Sequence, residues 1–278
     1  MIGRPMIALE LACVAIVALY LVVRVRRDPE PRAFLLRLLV LAVGAWIGED
    51  ACIRAYHFYA YSPRWSLFLD QVPLLIIAIW PVVIHSAWDL ARRLTRDPRH
   101  VPLVGALIVL ADASLIEPIA VQSGLWWWTE PGLFAVPPIG ILGWAFYAGL
   151  AMLVFGQRRR SVAWVFPIAS GGVHLLLLAT WWGALRWVNG TIDPWPVVGL
   201  AWALSLTLAA LSWRRGAGAR VPRVELLLRV PAAGFFFVLL ALHGADAWAL
   251  VAYALAFAPP YLVMTAQSWR APTQVTSG

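Results

Sequence analysis

Glu49, Asp112 and Glu117 stand inside long apolar runs, with no basic residue three or four positions away on either side. An ionisable group in a bilayer costs several kcal/mol unless it faces a cavity or a partner, so their partners must come from another helix or from water. Buried acids of this kind carry protons, either in acid-base catalysis or in ion transport. At about 1.5 Å of rise per residue, Glu49 lies about 9 Å below the outer end of its segment, Glu117 about 6–8 Å and Asp112 about 15 Å, near the midplane. Asp70 falls near the same rim, and the group predicts a cavity in the outer half. Asp112 and Glu117 are about 140° apart around one helix, so they do not reach the same ligand atom. Three further acids sit four residues before an arginine, Asp50 with Arg54, Asp89 with Arg93 and Glu225 with Arg229. Such pairs read as structural. Glu10 is a lone acid with no assignment.

Two loops follow these acids. They read Tyr56-His57-Phe58-Tyr59-Ala60-Tyr61 and Gly124-Leu125-Trp126-Trp127-Trp128. Aromatics gather at membrane interfaces as a matter of course, and equally they can wall a slot for a flat, conjugated or cationic species. The chain contains no Lys, which removes any Schiff base or Lys nucleophile. His57, His85, His100, His174 and His243 are scattered without the spacing of a metal site, and His174 reads as a core histidine. No phosphate loop or dinucleotide fingerprint occurs, because no strands are expected. Neither a cofactor nor a metal is expected.

The elements that must position these groups are transmembrane helices. The 278 residues are 62% hydrophobic and 13% charged, with a mean hydropathy of +0.77, whereas a water-soluble domain carries about 25% charged residues. Unbroken runs such as 101–110 and 200–211 exclude an alternating β-barrel. The fold class expected is all-α, a polytopic bundle of about eight or nine helices near 6–23, 33–55, 66–88, 101–121, 135–155, 162–184, 195–213, 226–243 and 246–265. The net charge of +8 comes from 22 arginines in short clusters, which signal topology and not a nucleic-acid partner. With the first helix entering from outside, sixteen arginines face the cytoplasm: Arg24, Arg26, Arg27, Arg32, Arg92, Arg93, Arg96, Arg99, Arg158–Arg160, Arg214, Arg215, Arg220, Arg223 and Arg270. Only Arg4, Arg54, Arg64 and Arg186 face outward. The expected location is a bacterial cytoplasmic membrane, N-terminus outside and C-terminus cytoplasmic if nine helices cross. Arg24, Arg26 and Arg27 follow the first apolar segment directly and no small-residue cleavage site precedes them, so it reads as a retained helix. Cys13 and Cys52 form no framework.

No linker divides residues 1–278, which read as a single membrane domain with a suspected repeat over 33–90 and 101–156. Asp50-Ala51 is followed by an aromatic loop, Val72-Pro73 and Trp80; Asp112-Ala113 is followed by an aromatic loop, Val136-Pro137 and Trp144. Each Trp stands seven residues past its Pro. Both hairpins would enter from the same side, giving a parallel repeat about an axis along the membrane normal. Chance coincidence among 17 Trp and 20 Pro is the competing explanation.

The run Asp112, Glu117-Pro118, Gly124-Leu125-Trp126-Trp127-Trp128, Gly132, Val136-Pro137 and Gly143-Trp144 resembles the signature of membrane carotenoid-biosynthesis proteins. That family includes bacterial carotenoid 1,2-hydratases and archaeal bisanhydrobacterioruberin hydratases. Upstream, Glu49, Tyr56, Tyr59-Ala60-Tyr61, Val72-Pro73 and Trp80 are similar to the signature's first half. The resemblance covers about residues 46–148. Where the family usually has Asn-Phe, this chain has Gly140-Ile141, which removes an amide able to position water or a hydroxyl. The resemblance thus implies carotenoid chemistry more firmly than the hydration step itself.

What the resemblance implies is cofactor-independent hydration of the terminal double bond of an acyclic carotenoid. Protonating an alkene to a tertiary cation needs a positioned acid, which a carboxyl kept neutral in low-dielectric surroundings supplies. Under this reading Asp112 is the general acid, Glu117 or Glu49 assists water, and Trp126, Trp128, Trp144, Tyr59, Tyr61 and Trp80 line the polyene slot. Its partners are a carotenoid or other long isoprenoid, membrane lipid, no nucleic acid, and other carotenoid-pathway enzymes as candidates. Two rivals stand beside it. End-group cyclisation or other isoprenoid chemistry begins with the same protonation, and a non-enzymatic binding or transport protein would use the acids to carry protons or cations.

Overall fold

The computed structural model describes residues 4–157, 161–188, 190, 192–215 and 221–269. Arg158–Arg160, Arg220 and Arg270, which the topology expectation uses, lie outside these residues. Among the described residues nine helical spans are long and apolar enough to cross a membrane. They begin at α1 (Arg4–Arg27) and α2 (Pro31–Tyr56). Next come α3 (Leu74–Leu94), α4 (Val101–Gln122) and α5 (Pro138–Phe155). The sixth span, 162–188, is composite: two π-type turns, Phe166–Ser170 and Trp181–Leu185, flank α6 (Gly171–Thr180), and α7 (Arg186–Val188) ends it. Then follow α8 (Pro194–Arg215), α9 (Arg223–His243) and a ninth span split into α10 (Trp248–Leu255) and α11 (Ala258–Trp269).

Proline sets most of the helix starts, because its fixed φ suits the first turn and its missing N–H costs nothing there. Pro31, Pro138 and Pro194 lie at the first helical position, and Pro73, Pro137 and Pro222 immediately before or at the cap. This corrects two boundaries. The third helix begins at Leu74 and not near 66, because Phe68–Leu69 (β2) and Val72–Pro73 (β3) form a small hairpin, turned at Asp70 with φ 56°. The fifth begins at Pro138 and not at 135, since Phe134 and Ala135 are left-handed and Leu133 bridges to Val136. The ninth span breaks at Ala256-Phe257, just ahead of Pro259-Pro260.

The expectation of no strands also fails in a way that matters for the site. Tyr59–Tyr61 (β1) and Trp126–Trp128 (β4), from the two aromatic loops, pair antiparallel, with Tyr59 opposite Trp128 and Tyr61 opposite Trp126. Backbone bonds from Ser62 N to Leu125 O (2.9 Å) and from Thr129 N to Phe58 O (2.8 Å) extend the ribbon. Helices α2 to α5 form the central layer, in contact α2 with α3, α3 with α4 and α4 with α5. The α6 span packs on α5 and α2, α1 packs on α9 and α3, and α8 packs against α10 and α11. Tyr147 Oη donates to Leu41 O (2.9 Å) and Ser170 Oγ to Gly44 O (2.7 Å), tying α5 and the sixth span to the backbone of α2.

Candidate functional site

Side chains alternate across a strand, so Tyr59, Tyr61, Trp126 and Trp128 share one face of the ribbon while Ala60 and Trp127 take the other. Below that face lie two buried carboxylates. Glu49, late in α2, accepts hydrogen bonds at Oε2 from the Tyr59 hydroxyl (3.4 Å) and from the Tyr61 hydroxyl. Glu117, late in α4, accepts at Oε2 from the indole N–H of Trp126 (2.8 Å) and of Trp128 (3.2 Å). Each acid is thus met by the two inward aromatics of the strand that follows it. Burial, and then the Glu49 carboxylate, hold the Tyr59 and Tyr61 hydroxyls well above the ordinary phenol range, so both stay protonated donors.

Beside Glu49 opens a cavity enclosing about 540 Å³ of space not filled by atoms, its open mouth included. Glu49, Tyr59, Trp128, Trp144, Tyr147 and Leu177 are among the residues that line it. The Tyr59 and Trp128 rings pack 4.6 Å apart between centroids, tilted by 40°. Gly140 sits beneath Trp128: a Cβ there would stand 2.6 Å from ring carbon Cζ2, so the missing side chain is what admits the indole. Cys52 also lines the cavity, with its Sγ 3.6 Å from Nδ1 of half-buried His174.

The other expected site residues lie elsewhere. Trp126 and Trp80 line a second cavity, on the far side of the Trp80–Trp144 stack. Tyr61 reaches Glu49 without lining the first cavity. Asp112 is not with Glu49 and Glu117. Its two oxygens each lie 3.0 Å from Arg229 Nη1, and Tyr261 Oη donates to Oδ1 at 3.4 Å. Arg229 Nε in turn donates to Ser86 Oγ (3.1 Å), and Ser86 donates to Glu225 (2.6 Å). Arg229 was expected to pair with Glu225 on its own helix; Ser86 stands between them instead, and the direct ion pair is with Asp112. Asp70 likewise joins Arg54 and Asp50 at the surface, where Arg54 holds its carboxyl below the usual range. Glu10 accepts from Ser66 N (2.8 Å), fastening α1 to the β2–β3 loop.

Phe58, from the first aromatic loop, lines the cavity as that loop's reading allows, whereas sequence reasoning missed Tyr147. Tyr147 lies three residues past Trp144, on the same helical face, which is the signal that marks it. Among the described residues no group of three His, Cys, Asp or Glu side chains could hold a metal ion.

A family model described as carotenoid biosynthesis protein matches residues 6–208. The chain belongs to the carotenoid biosynthesis protein family. The match takes in α1 to α5, the sixth span and most of α8, and so the ribbon, Glu49, Glu117 and the first cavity. It reaches further in both directions than the segment 46–148 that carries the sequence resemblance. No curated protein and no solved structure matches the chain. The family suggests a carotenoid or other isoprenoid substrate, and the first cavity offers an apolar space with aromatic walls.

Proposed function

We propose that this carotenoid-biosynthesis protein hydrates the terminal double bond of an acyclic carotenoid end group without a cofactor. The observation that carries the reading is the position of Glu49, the one carboxyl among the described residues of the first cavity's wall, where it accepts from the Tyr59 hydroxyl and shares the lining with Trp128 and Trp144. In its protonated form Glu49 gives a proton to the terminal alkene carbon that leaves the positive charge on the tertiary carbon. The π electrons of the double bond form the new C–H bond, and the aromatic faces stabilise the cation. Water then adds its oxygen to the tertiary carbon and loses one proton to the Glu49 carboxylate, which restores the acid. The net change is addition of one water.

Tyr59 and Tyr61 orient Glu49 by fixing Oε2, which leaves Oε1 as the atom for the proton. Glu117 positions the wall, because it holds the indoles of Trp126 and Trp128. The geometry favours Glu49 over Asp112 as the acid, since Asp112 is occupied by Arg229.

The test is expression in a lycopene-producing bacterial host followed by pigment mass analysis. The expected product is heavier by one water with an unchanged chromophore, because the hydrated bond lies outside the conjugated system. Glu49→Gln should abolish it. A product of unchanged mass with a shifted spectrum would mean cyclisation, and pigment that copurifies unaltered would mean a binding protein.

A further inference from the structure

The second cavity, between α1, α3, α4 and α9, holds about 710 Å³ of space not filled by atoms, its open mouth included, and has an apolar and aromatic wall. The indole N–H groups of Trp65 and Trp126 on that wall are spent on Leu125 O (2.9 Å) and Glu117 (2.8 Å). Its lining follows the numbering of the first cavity. Ile76, Ile79, Trp80 and Val83 line it, each 64 positions before Gly140, Gly143, Trp144 and Tyr147 of the first; Leu125 and Trp126 stand 67 positions after Phe58 and Tyr59. Gly140, Gly143 and Tyr147 of the first cavity correspond here to the branched aliphatic Ile76, Ile79 and Val83. What this second cavity lacks is an acid in its wall.

At its far end it adjoins another cavity. A smaller cavity of about 370 Å³ shares Val83, Ile116, Leu228, Ala232 and Phe236 with it, and adds Asp112, Arg229 and Tyr261. The Arg229 side chain is only 7% exposed, and its Nη2 is buried with no hydrogen-bond partner among the described residues. A buried donor left without a partner costs about 1–3 kcal/mol, more for a charged group. A ligand oxygen would satisfy it once the guanidinium turns toward the smaller cavity, which Arg229 lines.

We infer that the two adjoining cavities open into one another and form a second binding site, for a neutral isoprenoid alcohol, with its chain in the apolar part and its hydroxyl between Arg229 Nη2 and Asp112. An alcohol has one acceptor for Arg229 and one donor for the carboxylate. An anionic head would bring a second negative charge against Asp112, and a plain hydrocarbon would leave Nη2 unmet. The isoprenoid class rests on the family, and the choice of a hydroxyl rests on Arg229 and Asp112 alone. If the proposed hydration holds, its product is such an alcohol. Binding and conversion are measured separately, so either idea can fail without the other.

The probes are radiolabelled geranylgeraniol, the matching hydrocarbon without its hydroxyl, and a straight-chain alcohol of similar length, each measured for retention by purified protein in lipid nanodiscs. Wild type should hold geranylgeraniol about tenfold tighter than the hydrocarbon, the worth of one or two hydrogen bonds. Ala232→Trp, which fills the junction of the two cavities, should remove that preference. So should Asp112→Leu combined with Arg229→Met, which replaces the ion pair by apolar groups without stranding a buried charge. Monodisperse elution establishes that each variant is folded, and the double variant carries the test if Ala232→Trp is not. Equal retention of alcohol and hydrocarbon by wild type, or a preference that survives in a folded cavity variant, overturns the site. Equal retention of the straight-chain alcohol overturns the isoprenoid class.

Discussion

Trp80 of α3 and Trp144 of α5 stack face to face, their ring centroids 3.7 Å apart and their planes 15° from parallel. Each stands seven residues past the proline of a Val-Pro pair, so the two helices present corresponding positions to each other. The stack is the partition between the two cavities: Trp144 lines the first and Trp80 the second. An aromatic pair of this kind is worth about 0.5–1.5 kcal/mol beyond the area it buries. Trp80→Leu removes the backing of Trp144 without altering the wall of the first cavity itself. The expected result is a lower melting temperature and a several-fold loss of conversion, with Trp80→Phe recovering most of both. Wild-type behaviour of Trp80→Leu in thermal unfolding and pigment conversion would mean that other contacts hold Trp144.

Glu49→Gln and Glu117→Gln separate the acid from the residue that shapes the wall. A glutamine at 49 can still accept from Tyr59 and Tyr61, but it has no acidic proton, so conversion should fall by about 10²-fold or more. A glutamine at 117 can still accept from the two indoles through its carbonyl oxygen, so a smaller loss is expected. Rates from pigment analysis at matched protein levels decide this. A greater loss at 117 than at 49 would exchange the two roles.

Asp112→Asn tests a different property. It leaves Arg229 as a buried cation without its counter-charge, and breaking such a pair costs about 3–5 kcal/mol. The expected signature is a large fall in melting temperature, relieved in the Asp112→Leu, Arg229→Met double variant. An Asp112→Asn protein that melts like wild type but converts no pigment would return Asp112 to the role of acid.

The acids were legible because a carboxylate in an apolar run is conspicuous whatever the fold, and the helices were legible from length and hydropathy. The partners were not. Asp112 meets Arg229 across 117 positions of sequence, and the i,i+4 rule that assigned Arg229 to Glu225 describes solvated helix surfaces, where no third group competes. In the bundle interior Ser86 and Asp112 compete and win. The ribbon was illegible for a related reason: three-residue strands carry too little alternation to register, and their pairing joins two separate loops. The β2–β3 hairpin reads as helix because Leu67, Phe68 and Leu69 lead toward the apolar run from Val72, with Asp70-Gln71 as the one polar interruption and a proline that a helix start tolerates.

The arginine distribution predicts sidedness. A cysteine replacing Ala60, on the face of the ribbon away from the acids, should react with an impermeant reagent on intact cells. One replacing Thr95, after the α3 arginines Arg92 and Arg93, should react only after the membrane is opened. Reaction at 95 and not at 60 on intact cells would invert the protein.

Gly140 provides the sharpest test of how the first cavity is built. Its backbone is fixed in the first turn of α5, where its N–H donates to Pro137 O at 2.9 Å, so the helix cannot easily retreat. Trp128 cannot retreat either while its indole N–H is held by Glu117 and its strand is paired with Tyr59. A Cβ at 140 would stand 2.6 Å from the Trp128 ring, well inside van der Waals contact. Gly140→Ala should therefore cost about 1–3 kcal/mol, typical of overpacking, and lower conversion as Trp128 is displaced. Trp128→Phe shortens the ring and vacates the place the Cβ needs. In the double variant the two losses should fall short of their sum by about 1 kcal/mol or more, as expected for residues in contact. The four proteins of this cycle, compared by chemical unfolding in detergent, supply the coupling, and pigment conversion supplies its functional counterpart. Losses additive to within about 0.5 kcal/mol would mean that position 140 and the Trp128 ring do not touch.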